Sequence, residues 1–224
     1  MANLADVAKM TGPEASAGTR TLSLWAGGVS PYGIPHKKLG MWLFIVSDSL
    51  TFSALLFGYA YLRNASANWP HPFHMWPSIA VSTLMTFCLL SSSLTMVLAV
   101  HHAQRGNRDK VVPWLIATMV GGIAFLVLHG NEWRVLIEEG MTPRKNPWGD
   151  AMFGGTFFTL TGMHMFHVLT GVVYLGVIAA RWAGRRSDAT DIEISGLYWH
   201  FVDLVWMFIF PLVYLMSVNQ GGGH

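Results

Sequence analysis

The chain has 224 residues, of which 52% are apolar and only 12% are Asp, Glu, Lys or Arg, about half the ~25% of a soluble domain. This composition argues against a disordered chain, a coiled coil and an ordinary soluble enzyme, and a net charge of +2 with scattered basic residues argues against nucleic-acid binding. The one cysteine, Cys88, excludes an internal disulfide and any site with several cysteine ligands.

Five apolar segments are each long enough to cross a bilayer as a helix, since a spanning helix needs about 20 mostly apolar residues. In chain order they are residues 39–62, 76–100, 111–133, 151–181 and 196–218. Backbone groups in lipid must be paired within the segment, which favours helices. We therefore predict an all-α membrane protein, a bundle of five transmembrane helices over residues 39–219.

Residues 1–38 are predicted to form an irregular N-terminal tail, because they are rich in Gly and Pro. The tail has no apolar segment after a basic start and contains few arginines, so it does not resemble a signal peptide or a mitochondrial transit peptide. Ten of the 14 Lys and Arg residues lie in the tail, in the loop after the second segment, and at or just after the end of the fourth segment. The positive-inside rule therefore predicts an inside N-terminus and an outside C-terminus.

Carboxyl side chains within the apolar segments are candidates for function, because ionisable groups are costly in a membrane. Asp48 lies in the first segment, Glu132 near the end of the third, and Asp203 in the fifth. If their helices pack together, Asp48 and Asp203 could face one buried polar patch. Burial favours the neutral acid, which can store or relay a proton; the alternative is that each acid only hydrogen-bonds a neighbouring helix.

Histidines are the other polar groups of the segments. His164 and His167 are three positions apart and share a helical face, and His129 lies three positions before Glu132. A di-iron site would need several carboxylates and Glu-x-x-His pairs, whereas this chain has few carboxylates and the reverse order. We therefore predict that the chain binds no metal and that His129, His164 and His167 belong to polar networks between helices.

Four strings in the segments are typical of one family. They are LGMWLFIVSD, ending at Asp48; HGNEW, beginning at His129; TGMHMFHV, ending at Val168; and YWHFVD, ending at Asp203. In this order and spacing they resemble subunit III of the haem–copper oxidases, the cytochrome c and quinol oxidases of aerobic respiration. The resemblance covers residues 37–218.

The resemblance implies a non-catalytic subunit with no bound redox cofactor. The haems and copper would lie in partner chains, and this chain would pack against subunit I, with subunit II and subunit IV as further partners. It would bind structural phospholipid, support proton uptake and oxygen access, and could belong to a respiratory supercomplex. Five segments, where many members have seven, are typical of bacterial quinol oxidases and of some bacterial cytochrome c oxidases, so the resemblance implies a bacterial inner-membrane protein. Of the two, we expect a cytochrome c oxidase subunit.

Single residues also carry expectations from the resemblance. Asp48 matches the family's reactive membrane carboxylate, which is usually Glu, and Glu132 matches the acid of a Glu-Tyr pair. Arg181 matches an arginine that binds phospholipid headgroups, and His200 and Asp203 match the last-helix motif. At the end of its helix, Arg181 together with His200 would suit an anionic headgroup, although an ordinary interfacial arginine would look the same.

Other readings of the sequence remain open. A quinol oxidase subunit or the accessory subunit of a nitric oxide reductase would have the same fold. A small proton-coupled transporter would use Asp48 and Asp203 as a relay, but such proteins often show inverted repeats or broken helices, and the two halves here do not resemble each other. A membrane haem protein would need two facing axial histidines.

Overall fold

The computed structural model of the chain describes residues 35–218. Five helices in this range are long and apolar enough to cross a membrane, which confirms the predicted all-α membrane fold. They are α1 (His36–Ala65), α2 (Ala80–Gln104), α3 (Arg108–Glu138), α4 (Ala151–Ala183) and α5 (Ala189–Ile209). A π-helical turn (Met75–Ile79) precedes α2, and a second one (Phe210–Tyr214) and a 3-10 turn (Leu215–Ser217) continue α5. Nearly all of the predicted tail lies outside the described residues.

Polar capping residues determine where two of the helices begin. α5 begins at Ala189, seven residues before the apolar segment. The Asp188 carboxylate accepts a hydrogen bond from the Asp191 N–H at 3.0 Å, and the Asp191 carboxylate accepts one from the Asp188 N–H at 3.4 Å, which is a capping box. At α4, the Asp150 carboxylate accepts from the Met152 N–H at 2.9 Å. That N–H and the Ser66 hydroxyl lower the pKa of Asp150 below its usual value.

Four of the helices form a bundle. α2 packs against α3 and α5, and α4 also packs against α3 and α5. α1 lies outside this bundle beside α4 and α5, and of its side chains only Phe52 and Tyr59 are fully buried. Most of the apolar surface of α1 therefore faces lipid or another chain.

Small residues allow close approach inside the bundle. A Cβ atom at Gly121 of α3 would lie 2.7 Å from Cβ of Ser92 on α2, so a larger residue does not fit there. At the next position, Gly122 faces Trp199 of α5, and Gly171 of α4 contacts the same indole ring. Trp199 is thus the side chain on which three helices of the bundle meet.

Aromatic residues close one end of the bundle. Phe73, in the segment before α2, stacks on Tyr214 with ring centroids 4.8 Å apart. The Tyr59 hydroxyl shares a 3.1 Å hydrogen bond with Ser217, and Arg63 donates to the Met216 carbonyl at 2.8 Å. These contacts hold the end of α1 and the turns after α5 together, next to the beginning of α2.

Candidate functional site

Asp48 of α1 meets His167 of α4 within the spanning part of the molecule. Asp48 Oδ2 lies 3.1 Å from His167 Nε2, and the two side chains are only 12% and 10% exposed. Asp48 Oδ2 makes no aligned hydrogen bond in the described structure, so the contact is a close approach of a carboxyl oxygen and a ring nitrogen. The two residues come from segments 119 positions apart, and the helix packing brings them together.

The second ring nitrogen of His167, Nδ1, makes a hydrogen bond that indicates which tautomer a neutral ring would have. Nδ1 is 2.8 Å from the Met163 carbonyl oxygen, and because a carbonyl only accepts, Nδ1 carries the hydrogen. In a neutral ring Nε2 would then be an acceptor facing a carboxylate oxygen, and the two would repel each other. A further proton, on Nε2 or on Asp48, would remove this repulsion, so the two side chains form a place where a proton can bind.

The surroundings of this pair are polar on one side and apolar on the other. Tyr198 of α5 donates to the His167 carbonyl at 3.0 Å and shares a 2.9 Å hydrogen bond with Thr170. The Phe52 ring lies 5.2 Å from the His167 ring. A cleft of about 410 Å³ between α1 and the bundle opens beside His167, and nearly all of its surface is apolar. An acyl chain fits such a surface better than a polar ligand does.

Asp203 of α5 has a different partner. Ser93 of α2 donates to Asp203 Oδ2 at 2.6 Å, and the residue is 7% exposed. Oδ1 has no hydrogen-bond partner within residues 35–218. His200 lies one turn earlier and lines a groove between α2 and α5. Asp48 and Asp203 thus belong to separate polar groups and share no hydrogen-bond partner in the described structure.

Glu132 of α3 lies in the most connected of the polar groups. Its Oε2 accepts from the Tyr214 hydroxyl at 2.7 Å, and its Oε1 accepts from the Ser82 hydroxyl at 3.2 Å. His129 Nδ1 is 3.1 Å from Oε2, and the side chains of His129 and Glu132 are 0% and 9% exposed. Both oxygens of Glu132 therefore accept a hydrogen bond from a hydroxyl group.

His164 lies among aromatic rings rather than among polar groups. Its ring stacks on Trp206 at 5.1 Å and meets the edge of Phe125 at 5.4 Å. The residue is fully buried, and neither ring nitrogen has a hydrogen-bond partner in the described part of the chain. His164 and His167 therefore have different neighbours, although the sequence places them on one face of α4.

Arg181 and His200 also have separate surroundings. Arg181 lies in the last turn of α4, where its guanidinium donates to the Arg186 carbonyl at 3.3 Å. His200 lies in the groove on the α2 side of α5. Arg181 is therefore an exposed cationic group at the end of α4, close in sequence to Arg185 and Arg186.

The hydroxyl partners of Glu132 and Asp203 were not predicted as site residues. They are Ser82, Ser93 and Tyr214. Ser93 belongs to a run of three serines that indicates close helix packing, and only Ser92 of that run faces Gly121. Which hydroxyl meets which acid depends on the rotation of each helix about its axis, and one sequence carries no direct sign of that rotation.

The string YWHFVD on α5 owes its pattern to these contacts. Tyr198 hydrogen-bonds α4, Trp199 fills the space between Gly122 and Gly171, and Asp203 accepts from Ser93 on α2. Alternate faces of the string thus contact α4, α3 and α2. A search of residues 35–218 finds no group of three or more His, Cys, Asp or Glu side chains that could hold a metal ion.

Comparison with known families settles the origin of these strings. The family model described as cytochrome c oxidase subunit III matches residues 32–218. The chain belongs to this family. The resemblance inferred from the four strings is thereby confirmed, and the chain is a multi-pass membrane protein of the subunit III family.

Individual members of the subunit III family are similar over most of their length. The chain is 35% identical over 187 residues to cytochrome c oxidase subunit 3 of Bacillus subtilis, covering 82% of this chain and 87% of the relative. It is 36% identical over 184 residues to quinol oxidase subunit 3 of Bacillus spizizenii, covering 81% and 87%. It is 35% identical over 187 residues to cytochrome bo(3) ubiquinol oxidase subunit 3 of Pseudomonas aeruginosa, covering 81% and 86%. The family thus includes subunits of oxidases with either electron donor.

Proposed function

We propose that the chain is the non-catalytic subunit III of a respiratory terminal oxidase in a bacterial inner membrane. The observation that carries the proposal is the subunit III match over residues 32–218, together with the five helices within residues 35–218 that are long and apolar enough to span a membrane. The haems and copper lie in partner subunits, and this chain packs against subunit I, near subunit II and a small fourth subunit. The basic residues of the tail and inner loops favour an inside N-terminus.

The electron donor is proposed to be cytochrome c. A quinol is the second candidate, because the relatives named as quinol oxidase subunits are as similar to this chain as the cytochrome c oxidase subunit is. The complex purified through a tag on this chain decides between them. Oxygen consumption with reduced cytochrome c supports the first donor, whereas consumption only with a short-chain quinol assigns the second, and consumption with neither contradicts the oxidase proposal.

The Asp48–His167 pair is proposed to support proton uptake by the oxidase. The two side chains meet at 3.1 Å, and both are largely buried. A proton bound at Asp48, near the middle of α1, could pass to a neighbouring chain that packs against α1. Most of the α1 surface is not covered by the bundle and could contact such a chain. The residue types alone would also suit a purely structural contact, and the turnover assay described in the Discussion separates the two roles.

A bound phospholipid is proposed on the inner side of the molecule. Arg181 supplies a cation at the end of α4, and its fork of N–H donors has capacity beyond the 3.3 Å hydrogen bond to Arg186. The apolar cleft beside His167 lies farther along α4 and offers a surface for an acyl chain. His200 lies in the separate α2–α5 groove, so we assign the headgroup contact to Arg181.

A further inference from the structure

A cavity that none of the proposed roles uses lies at the end of the bundle where α3 ends. It has a volume of about 450 Å³, which is within the usual range of small-molecule sites. The segment before α2, the last turns of α3 and the loop before α4 enclose it. Its walls are mostly apolar and include Phe73, Pro77, Val81, Leu136 and Trp148. By the proposed orientation it opens towards the outer side of the membrane.

Carboxyl groups predominate among the titratable side chains of this cavity. Glu132 and Glu139 line it together with one histidine, His74, and its described lining contains no Lys or Arg. Glu139 is also the residue at which α3 ends, and the carbonyl end of a helix carries partial negative charge. Two carboxylates and a helix C-terminus together favour a cation and disfavour the anionic headgroups proposed for Arg181.

Glu132 is fixed in place and can still accept hydrogen bonds from a ligand. Ser82 and Tyr214 donate to its two oxygens, and His129 contacts Oε2. A carboxylate has about four lone-pair sites, so Glu132 can accept at least one further hydrogen bond. With only 9% of this side chain exposed, a cation that reaches it leaves most of its water behind and needs N–H donors to replace that water.

We propose that this cavity binds a protonated primary amine carried on an apolar group, with the ammonium on Glu132. The apolar walls take the carrier, and the indole of Trp148 suits a neighbouring cation. An aminophospholipid of the outer leaflet and a free long-chain amine share this chemistry. The proposal rests on the cavity's own residues and does not depend on the oxidase role.

The test uses dodecylammonium as the probe and the full chain purified with its partners in a neutral detergent. Native mass spectrometry counts the bound probe. The wild type is expected to bind one dodecylammonium per chain. Glu132→Gln is expected to bind it at least about tenfold more weakly. Glu138→Gln is the matched control, because Glu138 lies on the same helix but outside the cavity, is 67% exposed and pairs with Arg134 at 3.6 Å.

Two further comparisons keep the test decisive. Val81→Phe reduces the volume of the cavity and leaves Glu132 itself unchanged, so it should also weaken binding, even if Glu132→Gln fails to fold. Dodecyltrimethylammonium has the same charge but no N–H donor and should bind more weakly than dodecylammonium. Equal binding of dodecylammonium to wild type and Val81→Phe, or equal binding of the two probes, would overturn the proposal.

The source of the amine follows from the lipids that remain on the purified wild type. Phosphatidylethanolamine that is retained by the wild type and by Glu138→Gln, but lost from Val81→Phe, identifies a membrane lipid as the ligand. Binding of dodecylammonium without retained phosphatidylethanolamine identifies a free amine. Both results support the amine site, and neither depends on oxidase activity.

Discussion

Replacing Gly122 by alanine should destabilise the bundle, because Trp199 has no space to move into. A Cβ atom at Gly122 would lie 2.5 Å from Cη2 of Trp199 and 2.9 Å from Cγ2 of Val172. On the other side, Gly171 is so close that its own Cβ would lie 3.0 Å from Cζ3 of the same indole. The ring is 1% exposed, and its Nε1 donates to Ser92 at 3.0 Å. The indole is therefore held between α3 and α4 and hydrogen-bonded to α2.

The size of the destabilisation follows from how far the distance between the new Cβ atom and the Trp199 ring falls below an ordinary contact. Ordinary contact with a Cβ atom begins near 3.4 Å, so the new methyl group at Gly122 is about 0.9 Å too close to the ring. Overpacking of this kind costs about 1–3 kcal/mol of unfolding free energy. Alanine also favours a helix over glycine by up to about 1 kcal/mol, which offsets part of the cost. Gly130→Ala measures that offset, because nothing lies within 4 Å of its new Cβ.

The assay is unfolding of the purified full-length chain by sodium dodecyl sulfate in mixed micelles, followed by circular dichroism. We expect the free energy of unfolding of Gly122→Ala to lie about 1–3 kcal/mol below that of Gly130→Ala. Adding Trp199→Phe to Gly122→Ala should recover part of the loss, since the smaller ring makes room, and a double-mutant cycle measures this coupling. Equal unfolding curves for the two alanine variants would refute the reasoning about Trp199.

Three further predictions concern the acids and the cation. Asp48→Ala should leave the initial oxygen consumption of the assembled complex near that of the wild type but shorten its activity half-life during turnover; an unchanged half-life would contradict a role in proton uptake. Arg181→Gln should lose one anionic phospholipid in native mass spectrometry, and an unchanged lipid count would argue against the headgroup site. Asp150→Ala should lower stability at neutral pH, because the Met152 N–H lowers the pKa of Asp150. That contribution is present above the usual pKa of 3.8 and is lost as the pH falls through the lower pKa of the folded protein, so thermal unfolding curves of the two proteins should converge in acid.

The number and type of the helices could be predicted from the sequence, because apolar length alone determines which segments cross a membrane. Helix ends were harder to predict from hydropathy. α5 begins at Ala189 because Asp188 and Asp191 form a capping box, and both residues are polar and lie before the apolar segment. The polar caps belong to the interface, where hydropathy no longer marks the helix.

The partners of the in-membrane acids could not be predicted from the sequence. Asp48 and Asp203 each stood out as a charge in an apolar segment, but the first meets His167 on α4 and the second meets Ser93 on α2. The rotation of each helix decides this, and it depends on close contacts such as Gly121 against Ser92. Such contacts combine residues from distant segments, so the pattern within any one segment does not contain them.

Similarly, the cavity lined by Glu132 could not be predicted from the sequence. Its walls come from the segment before α2, the end of α3 and the loop before α4, and each contribution alone is an ordinary interfacial residue. Only Glu132 itself could be singled out, because a carboxylate near the end of an apolar segment is costly. The chemistry of the cavity becomes visible when the charges of its lining are considered together.

Co-purification from the native membrane tests the central claim most directly. The full chain would carry an affinity tag, the membrane would be solubilised in a mild detergent, and the eluate would be examined by reduced-minus-oxidised visible spectroscopy and by identification of its chains. We predict haem absorption, oxygen consumption and a catalytic oxidase subunit in the same complex. A colourless eluate in which this chain is well folded but has no haem-bearing partner would contradict the account.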